Sequence, residues 1–211
     1  MTASEQTDKV KNRNRQGIER RNRDLDVMAA AISVMSERGY AATSIQEIAD
    51  RVGVLKGSLY HYFSSKEELL FRILSESHSE SETIMQDVAA LNLEPLDELS
   101  EFLRRECIWF LSNVSRANIY FTASSDLTGP RLKEIQGSDR GFTEHLLKLI
   151  TAAQVDGQIA SDIDASLLTR FVLGSLNNVR AWPNRSSKSF SKEEMADAFV
   201  ILTRNALQAT S

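Results

Sequence analysis

An all-α fold is what this chain of 211 residues predicts, on three observations. Apolar residues recur at three- and four-residue intervals and never alternate with period two over a sustained stretch. The three prolines and nine glycines fall mostly at breaks between such stretches. Ser or Thr stands three residues ahead of Glu or Gln at several of the expected helix starts, the spacing of a capping box. Together these give about nine helices, three in a small head and the rest in a larger helical domain.

The first helix is expected from about Glu19 to Arg38, with Leu25, Met28, Ile32 and Met35 on one stripe and Gly39 ending it. The second begins at Thr43 or Ser44, where both Thr43…Gln46 and Ser44…Glu47 fit the capping box. Ala49 lies four residues before Gly53, so a small residue permits close approach and a glycine accepts the positive φ of a tight turn into a third helix. Ile45, Ile48, Val52, Val54, Leu59 and Tyr62 take the spacing of two packed faces, which leaves Lys56, Gly57, Ser58, Tyr60 and His61 pointing outward. A fourth helix starts at Ser64 or Ser65 with Glu67 and Glu68 in its first turn, and its stripe runs through Leu69, Leu70, Ile73 and Leu74. Beyond Leu74 the run SESHSESET reads as an exposed helix leaving the head. The expected division is therefore an arm at 1–17, a helix-turn-helix head at 18–74 and a second domain at 75–211.

Pro95 suits the first turn of a helix reaching about Val114. It carries Leu99, Phe102, Leu103, Ile108, Trp109, Phe110 and Leu111. A short segment from Arg116 to Ser125 follows. Gly129-Pro130 then opens a helix expected to break near Gly137 and to continue through Phe142, Leu146, Leu149 and Ile150 to Gly157. The last two helices, about 164–182 and 191–208, are apolar on more than one face. In the final one Met195, Ala198, Phe199, Leu202 and Ala206 form a stripe behind the capping box Ser191…Glu194. With Gly174-Ser175 permitting close approach, these two helices are expected to pair with a second copy as a four-helix bundle of isologous symmetry.

Net charge is −4, but its distribution matters more. Residues 1–74 carry 12 Lys+Arg against 10 Asp+Glu, and the remainder 13 against 19. Within the stretch from Lys9 to Arg23, Lys9, Lys11, Arg13, Arg15, Arg20, Arg21 and Arg23 are opposed only by Glu19, a composition that suits phosphate or minor-groove contact ahead of a helix-turn-helix. A single cysteine, Cys107, excludes an intramolecular disulfide, and no run of about 18 apolar residues is present to span a membrane. With no apolar leader at the N-terminus, a cytoplasmic location is expected.

The run TSIQEIADRVGVLKGSLYHYFSSKEEL at 43–69 resembles, nearly position by position, the signature of the tetracycline-repressor (TetR) family of bacterial regulators. Downstream the likeness is one of helix number and order. Leu55 departs from the pattern, which often has a small polar residue there. The resemblance implies DNA contacts at Thr43, Ser44, Lys56, Gly57, Ser58, Tyr60, His61 and Lys66. Hydroxyls at helix N-termini can meet phosphate, Gly57 lets the backbone approach base edges, and Lys56 can donate to guanine.

The resemblance further implies a ligand-binding and dimerisation domain and a palindromic double-stranded DNA operator bound as a homodimer. Residues that could line its pocket are Phe102, Trp109, Phe110, Asn113, Asn118, Tyr120, Phe121, His145, Asn177, Asn178, Arg180 and Trp182. Asn177, Asn178 and Arg180, inside FVLGSLNNVRAWP, need partners if buried. The ending VRAWPNR followed by SKEE is similar to a branch of the family that responds to acyl-coenzyme A thioesters. That makes such a thioester, or a bulky hydrophobic acid, the expected effector.

No cofactor, metal or catalytic residue is expected. His61, His78 and His145 lie far apart, and no metal-binding or phosphate-loop motif occurs. The residues alone leave two other readings, a DNA-packaging or helical interaction protein without an effector, and an enzyme built on a helical bundle.

Overall fold

The structure, a computed structural model, describes residues 22–182 and 189–208. The basic arm, the expected start of the first helix and the segment after Trp182 lie outside the described residues. All regular structure among the described residues is helical. The elements are α1 (22–38), α2 (Ile45–Val52), α3 (Lys56–Leu59), α4 (Lys66–Ala89), α5 (Pro95–Ser112), α6 (Val114–Ala123), α7 (Gly129–Val155), α8 (Ala165–Val179) and α9 (Lys192–Leu207). A 3-10 turn at Ser124–Asp126 separates α6 from α7. Contacts divide the chain into two units, Met1–Ile73 and Leu74–Ser211.

In the first unit α1 buries Val27, Met28, Ala30, Ala31, Val34 and Met35. Leu25, expected in that stripe, is 60% exposed, because the buried face centres on the smaller Ala31 and Val34 and Leu25 falls on the far side. Ser44 caps α2 in a complete capping box with Glu47. The helix ends at Gly53, whose φ of 73° and ψ of 38° are the left-handed values that a side chain would strain. The third helix is a single turn. Its Leu59 is fully buried beside Ile48 and Ala49, while Ile45, Val52, Val54 and Tyr62 are only half-buried. At the start of α4 the Ser64 amide donates to Glu68 Oε2 at 2.7 Å and the Glu68 amide donates to Ser65 Oγ at 3.1 Å, so both expected caps are used. Arg72 then forks onto Asp24, at 2.7 and 3.1 Å, tying α4 back to α1.

The second unit is built around α5. Phe102, Leu103 and Cys107 on α5 pack with Leu146 and Ile150 of α7, Val172 and Leu176 of α8, and Ala196 and Phe199 of α9. The expected short segment is α6, set two residues earlier. The expected break near Gly137 is absent, since α7 runs unbroken through Gly137 and Gly141. A glycine inside a helix costs about 1 kcal/mol relative to alanine, and the buried anchors Ile135 and Leu146 on either side outweigh that.

The face of α9 also differs from expectation. Its buried residues are Ala196, Phe199, Thr203 and Leu207, while Ala198, Leu202 and Ala206 face outward with Ile201. On α8, Leu168, Val172, Leu176 and Val179 are buried and Leu167 and Phe171 are exposed. Both helices are thus apolar on two sides, one used within the unit and one facing out. No helix among the described residues is long and apolar enough to cross a membrane.

Candidate functional site

In the head, the turn between α1 and α2 is fixed before anything can bind to it. Thr43 is buried, and its hydroxyl donates to the Gly39 carbonyl at 2.8 Å. That corrects its expected role as an exposed donor, because the side chain is spent locking the turn. Lys66 is likewise committed. Its ammonium donates to the carbonyls of Tyr40, Ala41 and Thr43 at 2.9, 3.2 and 3.1 Å and lies 4.5 Å from the centre of the Tyr40 ring. An ammonium has three protons, so nothing is left over for a phosphate. Ser44 is exposed but bonded to Glu47. Arg51 grips Glu37 at 2.5 and 2.9 Å, and that bond together with one from Ser33 draws the Glu37 carboxyl down to about 2.

What remains at the surface is contiguous in sequence. Lys56, Gly57, Tyr60 and His61 are exposed and Ser58 is half-buried. Tyr60 is 49% exposed with its ring 6.1 Å from that of the buried Phe63. Leu55, just ahead of α3, is 81% exposed. A one-turn helix with a free lysine, a glycine and an apolar side chain at its start can meet base edges, while Tyr60 and His61 can donate to backbone phosphates.

The second unit holds a half-open cavity of about 330 Å³. Five helices line it. Ser77, His78 and Ser81 come from α4, Glu106, Trp109 and Phe110 from α5, Ala117, Tyr120 and Phe121 from α6, Asp139, Phe142 and Thr143 from α7, and Leu173 and Asn177 from α8. Glu106 is 1% exposed, and burial pushes its carboxyl up to about 7 against the opposing effect of the Ser81 hydroxyl, which donates to it. Tyr120 donates to Asp139, whose carboxyl is also raised by burial. His78 presents its ring edge-on to Tyr120 at 5.3 Å, and burial lowers its pKa, favouring the neutral ring. Among the described residues its buried Nε2 has no hydrogen-bond partner, and Asp139 Oδ1, at 3.6 Å, is too far to serve.

Five of the expected pocket residues line this cavity: Trp109, Phe110, Tyr120, Phe121 and Asn177. Seven do not. Phe102 is core beneath Phe142 and His145, and His145 packs edge-on against it at 5.1 Å. Asn113 closes the junction of α5 and α6, donating to the Trp109 carbonyl. Asn178 and Asn118 are exposed, and Asn118 accepts from Arg180 at 3.1 Å. Trp182 lies 6.2 Å from Phe199. Arg180 sits over Phe121 at 4.2 Å, and so stands next to a lining residue rather than in the wall.

Sequence reasoning missed Ser77, His78, Ser81, Glu106 and Asp139. The signals were a lone acid inside the apolar run of α5 and a Ser-Ser pair one turn apart on α4. The run SESHSESET, expected to be solvent-exposed, therefore has one edge turned into the cavity. Cys107 is buried and its thiol pushed up to about 12, so it is no nucleophile.

Comparison with known proteins agrees along most of the chain. Residues 27–73 match the family model described as bacterial regulatory proteins, tetR family, and residues 92–207 match the tetracyclin repressor-like C-terminal domain. The HTH-type transcriptional repressor KstR2 of Rhodococcus jostii is 30% identical over 151 residues, which is 71% of this chain and 74% of that protein. Among solved structures, the ketosteroid transcriptional regulator KstR2 of Mycobacterium tuberculosis aligns with a TM-score of 0.82 at 22% identity, over 89% of this chain and 96% of that one. AibR, solved in complex with isovaleryl coenzyme A and operator DNA, aligns with a TM-score of 0.75 at 23% identity, over 85% and 97%.

Proposed function

The chain belongs to the TetR family of bacterial regulatory proteins, a family of DNA-binding transcriptional regulators and not of enzymes, and from that membership we propose a dimeric repressor that leaves its operator when an acyl-coenzyme A thioester fills the cavity of its second unit. The observation that carries the reading is α4. A single helix begins at Lys66, which holds the carbonyls of the α1–α2 turn, and eleven residues later supplies Ser77, His78 and Ser81 to the cavity. Both groups belong to α4. A ligand that shifts α4 drags the turn with it, because the lysine couples them.

In this reading Lys56, Gly57 and Ser58 face base edges and Tyr60 and His61 meet phosphates. Ser44, Thr43 and Lys66 hold the turn that orients them. Dimerisation through α8 and α9 would bury Leu167, Phe171, Ile201 and Leu202, each at least half exposed in the monomer. Two heads then face half-sites about 34–36 Å apart on the duplex, and a ligand favouring another spacing by a few kcal/mol removes the register. The thioester is supported by AibR, which was solved in complex with isovaleryl coenzyme A. A cavity of about 330 Å³ takes the acyl group and leaves the nucleotide end outside, with Arg180 beside the lining residue Phe121 to meet it. The protein would act in the cytoplasm, where operator and thioester coexist.

The test is competition and release. The full chain should prefer a duplex selected from random sequence over unselected DNA by about 10³ or more, and an acyl-coenzyme A panel that includes isovaleryl-coenzyme A should dissociate the complex. A preference within about tenfold would instead mean a packaging protein. Arg180→Met should keep operator affinity and blunt the response.

A further inference from the structure

The cavity is not uniformly apolar. Trp109, Phe110 and Phe121 form a run of ring contacts, 5.5 Å between the first two and 6.1 Å between the last two. Against this stands a polar cluster that crosses four helices. Tyr120 is bonded to Asp139, the Asp139 carboxyl lies 3.6 Å from His78 Nε2, and Ser81, one turn along α4 from His78, is bonded to Glu106.

Resting on the effector reading above, we infer that the acyl group carries a neutral oxygen, a ketone or a hydroxyl, that meets His78 and the Ser81–Glu106 pair. The cavity would thus select oxygenated acyl groups over plain chains and over diacids. Three observations lead there. The Nε2 atom of His78 is buried without a partner, which a bare hydrocarbon would leave unsatisfied and an oxygen would not. Glu106 is buried in the wall with only one hydroxyl bonded to it, and a neutral carboxyl has a proton to donate as well as further lone pairs to accept. Among the described residues two acids and no Arg or Lys line the cavity, and Arg116, stacked on the lining Trp109, is already paired with Glu80 at 2.8 Å, so a second carboxylate on the ligand would meet carboxyls rather than an unpaired cation. A ketone accepts from Nε2–H or from the Glu106 O–H, and a hydroxyl can do either.

The experiment uses the full chain and calorimetric titration with octanoyl-coenzyme A, a series whose oxo group is walked from carbon 3 to carbon 7, 8-hydroxyoctanoyl-coenzyme A, and the eight-carbon diacid monothioester. At least one oxygenated member should bind tenfold or more tighter than octanoyl-coenzyme A, and the diacid no tighter than octanoyl. His78→Phe and the milder Ser81→Ala should each shrink that preference to within about twofold. A series in which no oxygenated thioester outbinds octanoyl-coenzyme A, or a preference untouched in both variants, overturns the inference and leaves the effector site standing. Absence of binding by every thioester, with the operator complex also unmoved, overturns both.

Discussion

The head and the cavity-bearing unit treat their polar groups in opposite ways. Among the described residues, every buried side-chain nitrogen or oxygen without a hydrogen-bond partner lies in the second unit, on Ser75, His78, Arg116 and His145. In the head, Lys66 serves three carbonyls, Thr43 closes its own turn, Ser44 and Glu47 cap each other, and Arg51 and Arg72 are each forked onto a carboxylate. The head is preorganised, so it presents one surface with little reorganisation on binding. Of the unpartnered groups, His78 lines the cavity, so the second unit keeps a buried polar atom there that a guest could satisfy. A reader of DNA profits from rigidity, and a sensor from incompleteness.

Four experiments would break or sharpen that contrast. The largest effect is expected from Leu59→Ala. This fully buried side chain underlies the reading turn, and truncation should cost about 2–5 kcal/mol, seen as an early melt of the head and loss of DNA binding.

Next is the pH dependence tied to Glu106. Burial raises its folded value from 4.5 to about 7, so the native state holds the proton more tightly than the unfolded chain. Its contribution therefore falls as pH rises from 4.5 through 7, by about 3 kcal/mol in all, and is level above that. His78 and His145 have lowered values and slope the other way, gaining stability as pH rises toward 6.5. The quantity to measure is thus the difference between the native chain and Glu106→Gln in denaturant titrations at pH 5 and pH 8, which should shrink to nothing if Glu106 is solvated.

Lys66→Met should destabilise the head by about 1.5–3 kcal/mol, since charge-assisted bonds are lost, yet leave the salt dependence of DNA binding unchanged. A slope reduced by one counterion would mean that the lysine reaches phosphate after all. Lys56→Ala should do the reverse, lowering the slope by about one and relaxing base preference by about 1–3 kcal/mol at one position, with the melting temperature unmoved.

The same contrast explains what could be read from the residues alone. The cap at Ser44, the left-handed Gly53 and the exposed set after Leu55 are local in sequence, so spacing finds them. The cavity draws on five helices, and only its aromatic members announce themselves as apolar. Ser77, His78 and Ser81 lie in a run whose polarity ordinarily marks a solvated face, and nothing in a linear pattern distinguishes the edge that turns inward. The misplaced stripes of α1 and α9 share a cause. Large residues such as Leu25 and Leu202 draw the eye, but the closest packing falls on Ala31, Ala196 and Thr203, where small side chains let helices approach.

The unbroken α7 has a last consequence for the range of guests. Gly137 and Gly141 are one turn apart and bracket Asp139 in the cavity wall, with no side chain of their own to brace the backbone. Glycine is the poorest helix former after proline, so that stretch is where the 27-residue helix is least reinforced between its anchors at Ile135 and Leu146. Tolerance for wider molecules would then depend on the stiffness of that stretch as well as on the resting width of the chamber.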